Sequence, residues 1–348
     1  MKGKRILAGI LAVLLSFLYT KQALGCIIFT SEGKEAVYAA SNEDWMYSIG
    51  TYMTLTARGE LGYGRVCFYN SSYVQAGMNE YGLFYDGASC PATDIPYDGT
   101  KEQLGYDLGE VVLASCTSVS EAVEFLENYN IPEGFYDHLM FADSSGDSVV
   151  LEWMENELHI LRKGDQPYQL ITNYWLSNPS LGGYPCSRYD TAEKLLKNTE
   201  PSVELFAGIL DATKQNWGSG GTLYSGVYDL TNKEVYVFLE GDMRNACRIN
   251  LTEQMGGLQE EQYTREIYEL SFDTAIEAHS GQAALQTGSP SESPRNQLPL
   301  EETAKDPNAT DSTSGSSAIW GWGLGLLLFL TILLILKKSV QVHSSPHQ

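Results

Sequence analysis

Cys26 is the residue around which chemistry can be built. Residues 1–25 have the three parts of a secretory signal. Lys2, Lys4 and Arg5 form a basic start, Ile6–Tyr19 is an apolar run, and Ala23-Leu24-Gly25 sets small residues before a cleavage point. Cleavage there leaves Cys26 first, and a cysteine so placed carries its own base. The reference pKa of an α-amino group, about 7.7–8.0, keeps a useful fraction neutral at neutral pH. That amine can take the thiol proton, directly or through a water, and return it to a leaving amine. No histidine is required, which suits a section between the two ends that holds only His138, His159 and His279. Such a site stays silent until its N-terminus is freed, so signal removal doubles as activation. Two other uses of Cys26 stand beside this one. It can be the lipidated cysteine of a lipoprotein, for which Ala23-Leu24-Gly25-Cys26 is a poor signal, or one half of a disulfide.

Other chemistries lack their residues. No HExxH or paired Cys-x-x-Cys occurs, so a metal has no ligand set and none is expected. Gly218-Ser219-Gly220-Gly221 lacks the Lys-Ser/Thr of a phosphate loop. No local pattern recommends a Cys–His pair. No cofactor is expected. With Cys26 committed to catalysis, Cys67, Cys90, Cys116, Cys186 and Cys247 allow at most two disulfides.

The chain must position Cys26 outside a membrane. Its 44 acidic and 22 basic residues give a formal charge of −22, which excludes a nucleic-acid binder with a basic face. A hydrophobic share of 43% is ample for a folded core. The signal's apolar run is too short to span a bilayer. Ala318–Leu336, by contrast, is uncharged, long enough to span, and followed by Lys337-Lys338. Residues 280–317 are rich in Ser, Thr, Pro and Glu and read as a solvated stalk. The expected organisation is a signal peptide over 1–25, a catalytic domain over 26–279 and the stalk. A single transmembrane helix over 318–336 and a cytoplasmic tail over 337–348 complete it. This places the domain on the outer face of the cell membrane.

Within the domain, hydrophobic alternation predicts strands over 26–30, 36–40, 51–56 and 64–69, and hairpins over 138–153 and 222–239. Spacings of three and four predict helices over 104–115, 118–129, 190–197 and 202–213, with Ser118 an N-cap. Blocks of strands and helices in this order imply an α+β fold.

A series of motifs then stands in order behind Cys26-Ile27-Ile28-Phe29-Thr30. It comprises Ser41-Asn42-Glu43-Asp44-Trp45, Gly77-Met78-Asn79-Glu80-Tyr81-Gly82-Leu83, Ile171-Thr172-Asn173-Tyr174, Ser187-Arg188-Tyr189 and Tyr224-Ser225-Gly226-Val227-Tyr228. The series resembles the choloylglycine hydrolase and penicillin V acylase family of N-terminal-nucleophile hydrolases, which cleave linear amide C–N bonds. The resemblance implies a four-layer αββα fold and a small-molecule N-acyl amide as substrate. It makes Cys26 nucleophile and base, and Asp44 the residue that holds the amine. Asn79 and Asn173 would bind the oxyanion, and Arg188 would steady the site. Acyl transfer to a second amine would use the same residues. One departure matters: Ser41 stands where the family commonly has an arginine beside the nucleophile. Its absence means less electrostatic help for the thiolate, or help from elsewhere, with Arg65 the candidate; the alternative reading is a catalytically inactive surface binding protein on the same scaffold. Oligomeric state has no signature.

Overall fold

The run Ile27-Ile28-Phe29 is apolar at every position, and strand geometry sends alternate side chains to opposite faces. Strand β1 (Ile27–Glu32) therefore buries both faces: Ile27 and Phe29 enter one apolar core and Ile28 another. Each such side chain contributes roughly 1.5–3 kcal/mol on burial. A computed structural model describes residues 25–197, 199–258 and 262–277. The expected signal segment up to residue 24, the stalk from 280, the transmembrane helix and the tail lie outside the described residues. Among these, no helix is long and apolar enough to cross a membrane.

β1 lies between β2 (Val37–Met46) and β12 (Tyr168–Ile171). The sheet continues from β2 through β13 (Gly220–Asp229), β14 (Glu234–Leu239), β15 (Asn245–Asn250) and β17 (Thr274–Ala275). A second sheet of eight strands runs β11 (Glu157–Arg162), β10 (Ser148–Met154), β9 (Asp137–Ala142), β6 (Phe84–Ser89), β5 (Tyr73–Asn79), β4 (Arg65–Asn70), β3 (Thr51–Thr56) and β16 (Gln262–Glu266). Pairing in both is antiparallel; the short β7 (Glu102–Gln103) and β8 (Tyr129–Asn130) pair parallel outside them.

The cores give the layer order. The central one joins Ile28, Ala39 and Tyr228 of the first sheet to Phe68, Phe84 and Met140 of the second. Helices α1 (Leu108–Ser115) and α2 (Val119–Glu127) cover the outer face of the second sheet, with Val112 and Leu126 packed near Tyr85 and Phe141. Helices α3 (Ser187–Leu196) and α4 (Val203–Thr213) cover the outer face of the first, with Phe206 against Phe29. The short α5 (Leu251–Gly257) follows β15. The order is helix, sheet, sheet, helix.

Both hairpins and all four predicted helices are present. Ser118 and Ser202 each accept a hydrogen bond from the third residue of their helices, at 3.3 and 3.2 Å. The strand read over 36–40 is longer, β2 running on through Ser41-Asn42-Glu43-Asp44, and β5 and β6 answer to no predicted strand. Four polar residues in a row hide a strand, of which Asn42, Glu43 and Asp44 each make hydrogen bonds inside the protein. All six cysteines are free thiols, so neither of the two possible disulfides forms.

Candidate active site

Strand pairing brings the predicted residues together. Ile27 lies opposite Asn42 across the β1–β2 ladder, so Ser41–Asp44 run beside Cys26. On the far side of β2, Thr222 lies opposite Asp44 and Tyr224 opposite Glu43, with an extra residue bulged between them. Thr222 donates to Asp44 Oδ1 at 2.5 Å and Gln215, just past α4, donates to Oδ2 at 2.5 Å. The Asp44 carboxyl is 2% exposed, and burial pushes its pKa up to about 6 against the opposing pull of Thr222, Gln215 and Arg188.

In the described chain Gly25 precedes Cys26, and the peptide bond between them is the centre of the constellation. The Gly25 carbonyl accepts from Gln215 Nε2 at 2.7 Å and from Arg188 Nη1. Arg188 Nη1 also donates to the Cys26 carbonyl at 2.6 Å, and Nη2 to Asn173 Oδ1 at 3.0 Å. Asn173 Nδ2 donates to the Ser89 carbonyl at 2.9 Å. Gly25 has φ +139°, and a Cβ there would fall 2.5 Å from the Asn173 amide, so both backbone and space call for glycine. The Cys26 thiol is buried and donates to Glu43 Oε2 at 3.3 Å. Burial, Glu43 and Asp44 push the thiol pKa well up, so it rests protonated.

Cys26, Asp44, Asn173 and Arg188 thus surround one bond. Asn79 does not join them. Its Nδ2 donates to the carbonyls of Leu113 and Cys116 at 2.9 and 2.7 Å, and its Oδ1 accepts from the N–H groups of Tyr81 and Leu83. Both amide hydrogens are engaged, leaving none for an oxyanion, so the oxyanion expectation for Asn79 gives way to a scaffolding role. It ties the β5–β6 turn to the end of α1. Arg65 is likewise committed elsewhere, to Glu110 at 2.6 Å and to the carbonyls of Leu61 and Tyr63. No cation replaces the missing arginine from that side.

Three features escaped the sequence. Gln215 lies in no motif, and its signal is only that it follows a helix directly. Asp86 is a fully buried carboxyl on β6, flagged by the core residues Phe84 and Ala88 two positions either side. The third is a buried pair, His138 Nδ1 to Glu152 Oε1 at 3.0 Å. His138 Nε2 meets the Thr172 carbonyl at 2.6 Å, and Glu152 accepts from the N–H groups of Leu176 and Ser177 at 2.7 and 2.9 Å. The pair grips the loop that carries Asn173 on both sides.

A cleft of about 500 Å³ opens beside the site, walled by Trp45, Tyr73, Tyr85, Tyr106 and Phe135. Ser89, whose carbonyl holds Asn173, also lines it. The described residues contain no cluster of His, Cys, Asp and Glu able to hold a metal ion.

The profile of the acyl-coenzyme A:6-aminopenicillanic acid acyl-transferase family matches residues 30–244, more than half of the chain. The chain belongs to that family. The matched stretch of this acyl-transferase family member runs from β1 through the loop after β14 and includes Asp44, Asn173 and Arg188. Its fold is similar to that of penicillin V acylase from Agrobacterium tumefaciens, with a TM-score of 0.59 at 20% identity over 72% of this chain and 95% of that one. A variant of the conjugated bile acid hydrolase from Clostridium perfringens gives 0.57 at 18% identity, over 72% and 99%. At such identities the likeness is one of fold. Among curated protein sequences nothing matches significantly.

Proposed function

We propose that this chain is a membrane-tethered, outward-facing amidohydrolase that cleaves the C–N bond of linear N-acyl amides, with Cys26 as nucleophile once its amine is freed from Gly25. The observation that carries the reading is the hold of Arg188 and Gln215 on the Gly25 and Cys26 carbonyls, with Asn173 bonded to Arg188 and Asp44 to Gln215. A substrate carbonyl offered to Cys26 takes the place of Gly25. The thiolate attacks its carbon, and Asn173 steadies the oxygen as charge develops. The nitrogen leaves with the proton taken from sulfur, and water releases the acyl group from the thioester. Asp44 and Gln215 hold the N-terminus. The aromatic cleft receives an apolar acyl group. The fold-related acylase and hydrolase both carry names that describe cleavage of acyl amides, and the family's name describes acyl transfer, which differs only in the acceptor. Signal peptide 1–25, stalk 280–317, transmembrane helix 318–336 and tail 337–348 complete the tether.

Mass spectrometry of the N-terminal peptide from membrane-purified protein tests the first requirement: it should begin with unmodified Cys26. Cys26→Ala should abolish turnover of N-acyl-p-nitroanilides and labelling by an electrophilic thiol probe. Undiminished turnover in that variant refutes the mechanism.

A further inference from the structure

Donors and acceptors along the aromatic cleft do not balance. Gln75 Nε2 gives its hydrogens to the Gly87 carbonyl at 2.7 Å and to Asp86 Oδ1 at 3.4 Å, and Asn70 Nδ2 donates to Gln75 Oε1 at 3.5 Å. Asn70 is 5% exposed, and its Oδ1 is left in the cleft wall with no donor. A buried acceptor left so is costly, and a ligand that brings an N–H group removes the cost. Asp137 is half-buried in the same cleft and has no ion-pair partner among the described residues. His138, next in the strand, is wholly buried, and its ring nitrogens are taken by Glu152 and the Thr172 carbonyl.

No lysine, arginine or histidine lines this cleft. Three other depressions of the described chain do carry such cations: Arg248 and Arg265 in one, Lys101 in the second, Lys34 and Lys163 in the third. The walls add aromatic faces. Tyr106 meets Tyr73 edge-on at 5.8 Å between ring centres and Phe135 at 6.4 Å, and Trp45, Tyr73 and Tyr106 are all exposed. Such faces attract cations. The cation–ring contacts among the described residues are made by Arg58 and Arg265 elsewhere, so these faces are uncovered.

We infer that the cleft selects an acyl chain that is apolar along its length and ends in an ammonium group, so that the substrates are ω-aminoacyl amides. The inference rests on the proposed seating of the acyl group in this cleft. An ammonium brings the charge that Asp137 lacks and three N–H donors, against the single unfilled acceptor of Asn70. Its methylene stem lies against the rings as a plain alkyl chain would. A chain ending in a carboxylate would set like charge against Asp137 with no cation to receive it, and the formal charge of −22 repels it at a distance.

The test compares kcat/KM of the full membrane-purified chain at neutral pH for three series of p-nitroanilides. One series runs from aminopropanoyl to aminooctanoyl, and its partners of equal length are unsubstituted or end in a carboxylate. At the best length the ammonium should be favoured over the unsubstituted chain by about tenfold or more, and the carboxylate should be the poorest. Asp137→Asn should bring that preference within about threefold, and Tyr73→Ala should reduce it about threefold. Each preference is a ratio within one protein, so a loss of folded fraction cancels. Unsubstituted or carboxylate chains favoured at every length, or a preference that survives Asp137→Asn intact, overturn the inference. Failure of the amidohydrolase reading shows differently, as no turnover in any series, and binding then decides. By calorimetry, Cys26→Ala should bind hexylammonium about tenfold more tightly than hexanol, and adding Asp137→Asn should remove the difference. Equal or undetectable binding of the two overturns the inference.

Discussion

Glu152→Gln tests how the Asn173 loop is held. His138 faces an acceptor on each side, the Thr172 carbonyl at 2.6 Å and Glu152 at 3.0 Å, so the ring carries both hydrogens as an imidazolium. Both partners are 0% exposed. Burial alone would lower the His138 pKa; Cys90 and Glu152 outweigh it and raise it to about 10. Removing the carboxylate charge leaves a buried cation unpaired, a loss of about 3–5 kcal/mol. For a domain of this size each kcal/mol lowers the melting temperature by about 2–4 °C, so a fall of roughly 6–20 °C should appear in a thermal melt near pH 6. The pH dependence has a defined sign. The histidine's share of the stability is full below its unfolded value of 6.5 and is lost as pH rises through about 10. The Glu152 pKa is lowered, burial being outweighed by His138, so its share is present above 4.5 and lost as pH falls. The gap between wild type and variant should therefore be widest at about pH 5–6.5 and close toward pH 10. A gap below about 1 kcal/mol, the worth of a surface pair, or one that widens with pH, would refute the argument.

Asn79→Ala should cost about 2–4 kcal/mol in urea denaturation, because two carbonyls and two N–H groups lose their partner. The folded fraction should retain turnover within about threefold, whereas an oxyanion donor would show a loss of about 100-fold or more. Arg188→Lys should keep the fold but lower kcat/KM by about 10–100-fold, since an ammonium cannot span the Cys26 carbonyl and Asn173 as the planar fork does. Buried Glu43, Asp44 and Asp86 all have raised pKa values, chiefly through burial. Their contribution is full below pH 3.8 for the aspartates and 4.5 for Glu43, and is lost as pH rises through about 6 and 7. Melts should therefore show lower stability at pH 7.5 than at about pH 5, with the difference reduced in Glu43→Gln.

The neighbourhood of Cys26 was legible because its parts lie in short motifs with strong local character. Ser187-Arg188-Tyr189 opens a helix, and Thr172-Asn173 follows an apolar strand, so both survive reading without a structure. Asn79 was misread for the same reason. The motif marks a turn, and whether an amide faces a ligand or a helix end is decided by α1, thirty residues on. Ser41–Asp44 was known as a motif but not as a strand, since a strand that buries polar side chains has no apolar alternation to show. Glu43 and Asp86 come from different sheets, and nothing in the order of residues announces that they meet. His138 and Glu152 were each assigned to strands correctly, yet their pairing depends on the register of β9 against β10.

The extra residue in β13 has a consequence for how this site tolerates change. Opposite residues in a ladder share a face, so Thr222 sits with Asp44 and Tyr224 with Glu43, on different sides of the sheet. Without Leu223 bulged between them, two residues of equal parity would face the same way. Deleting Leu223 itself would leave a regular ladder with Thr222 still opposite Asp44 and Tyr224 opposite Glu43, whereas deleting a residue between Tyr224 and Tyr228 would turn one part of that run away from the core. Point substitutions in this strand can drift one at a time, but past the bulge its length cannot. Sequence families that share this site should accept loss of the bulged residue while holding the residue count from Tyr224 to Tyr228 constant.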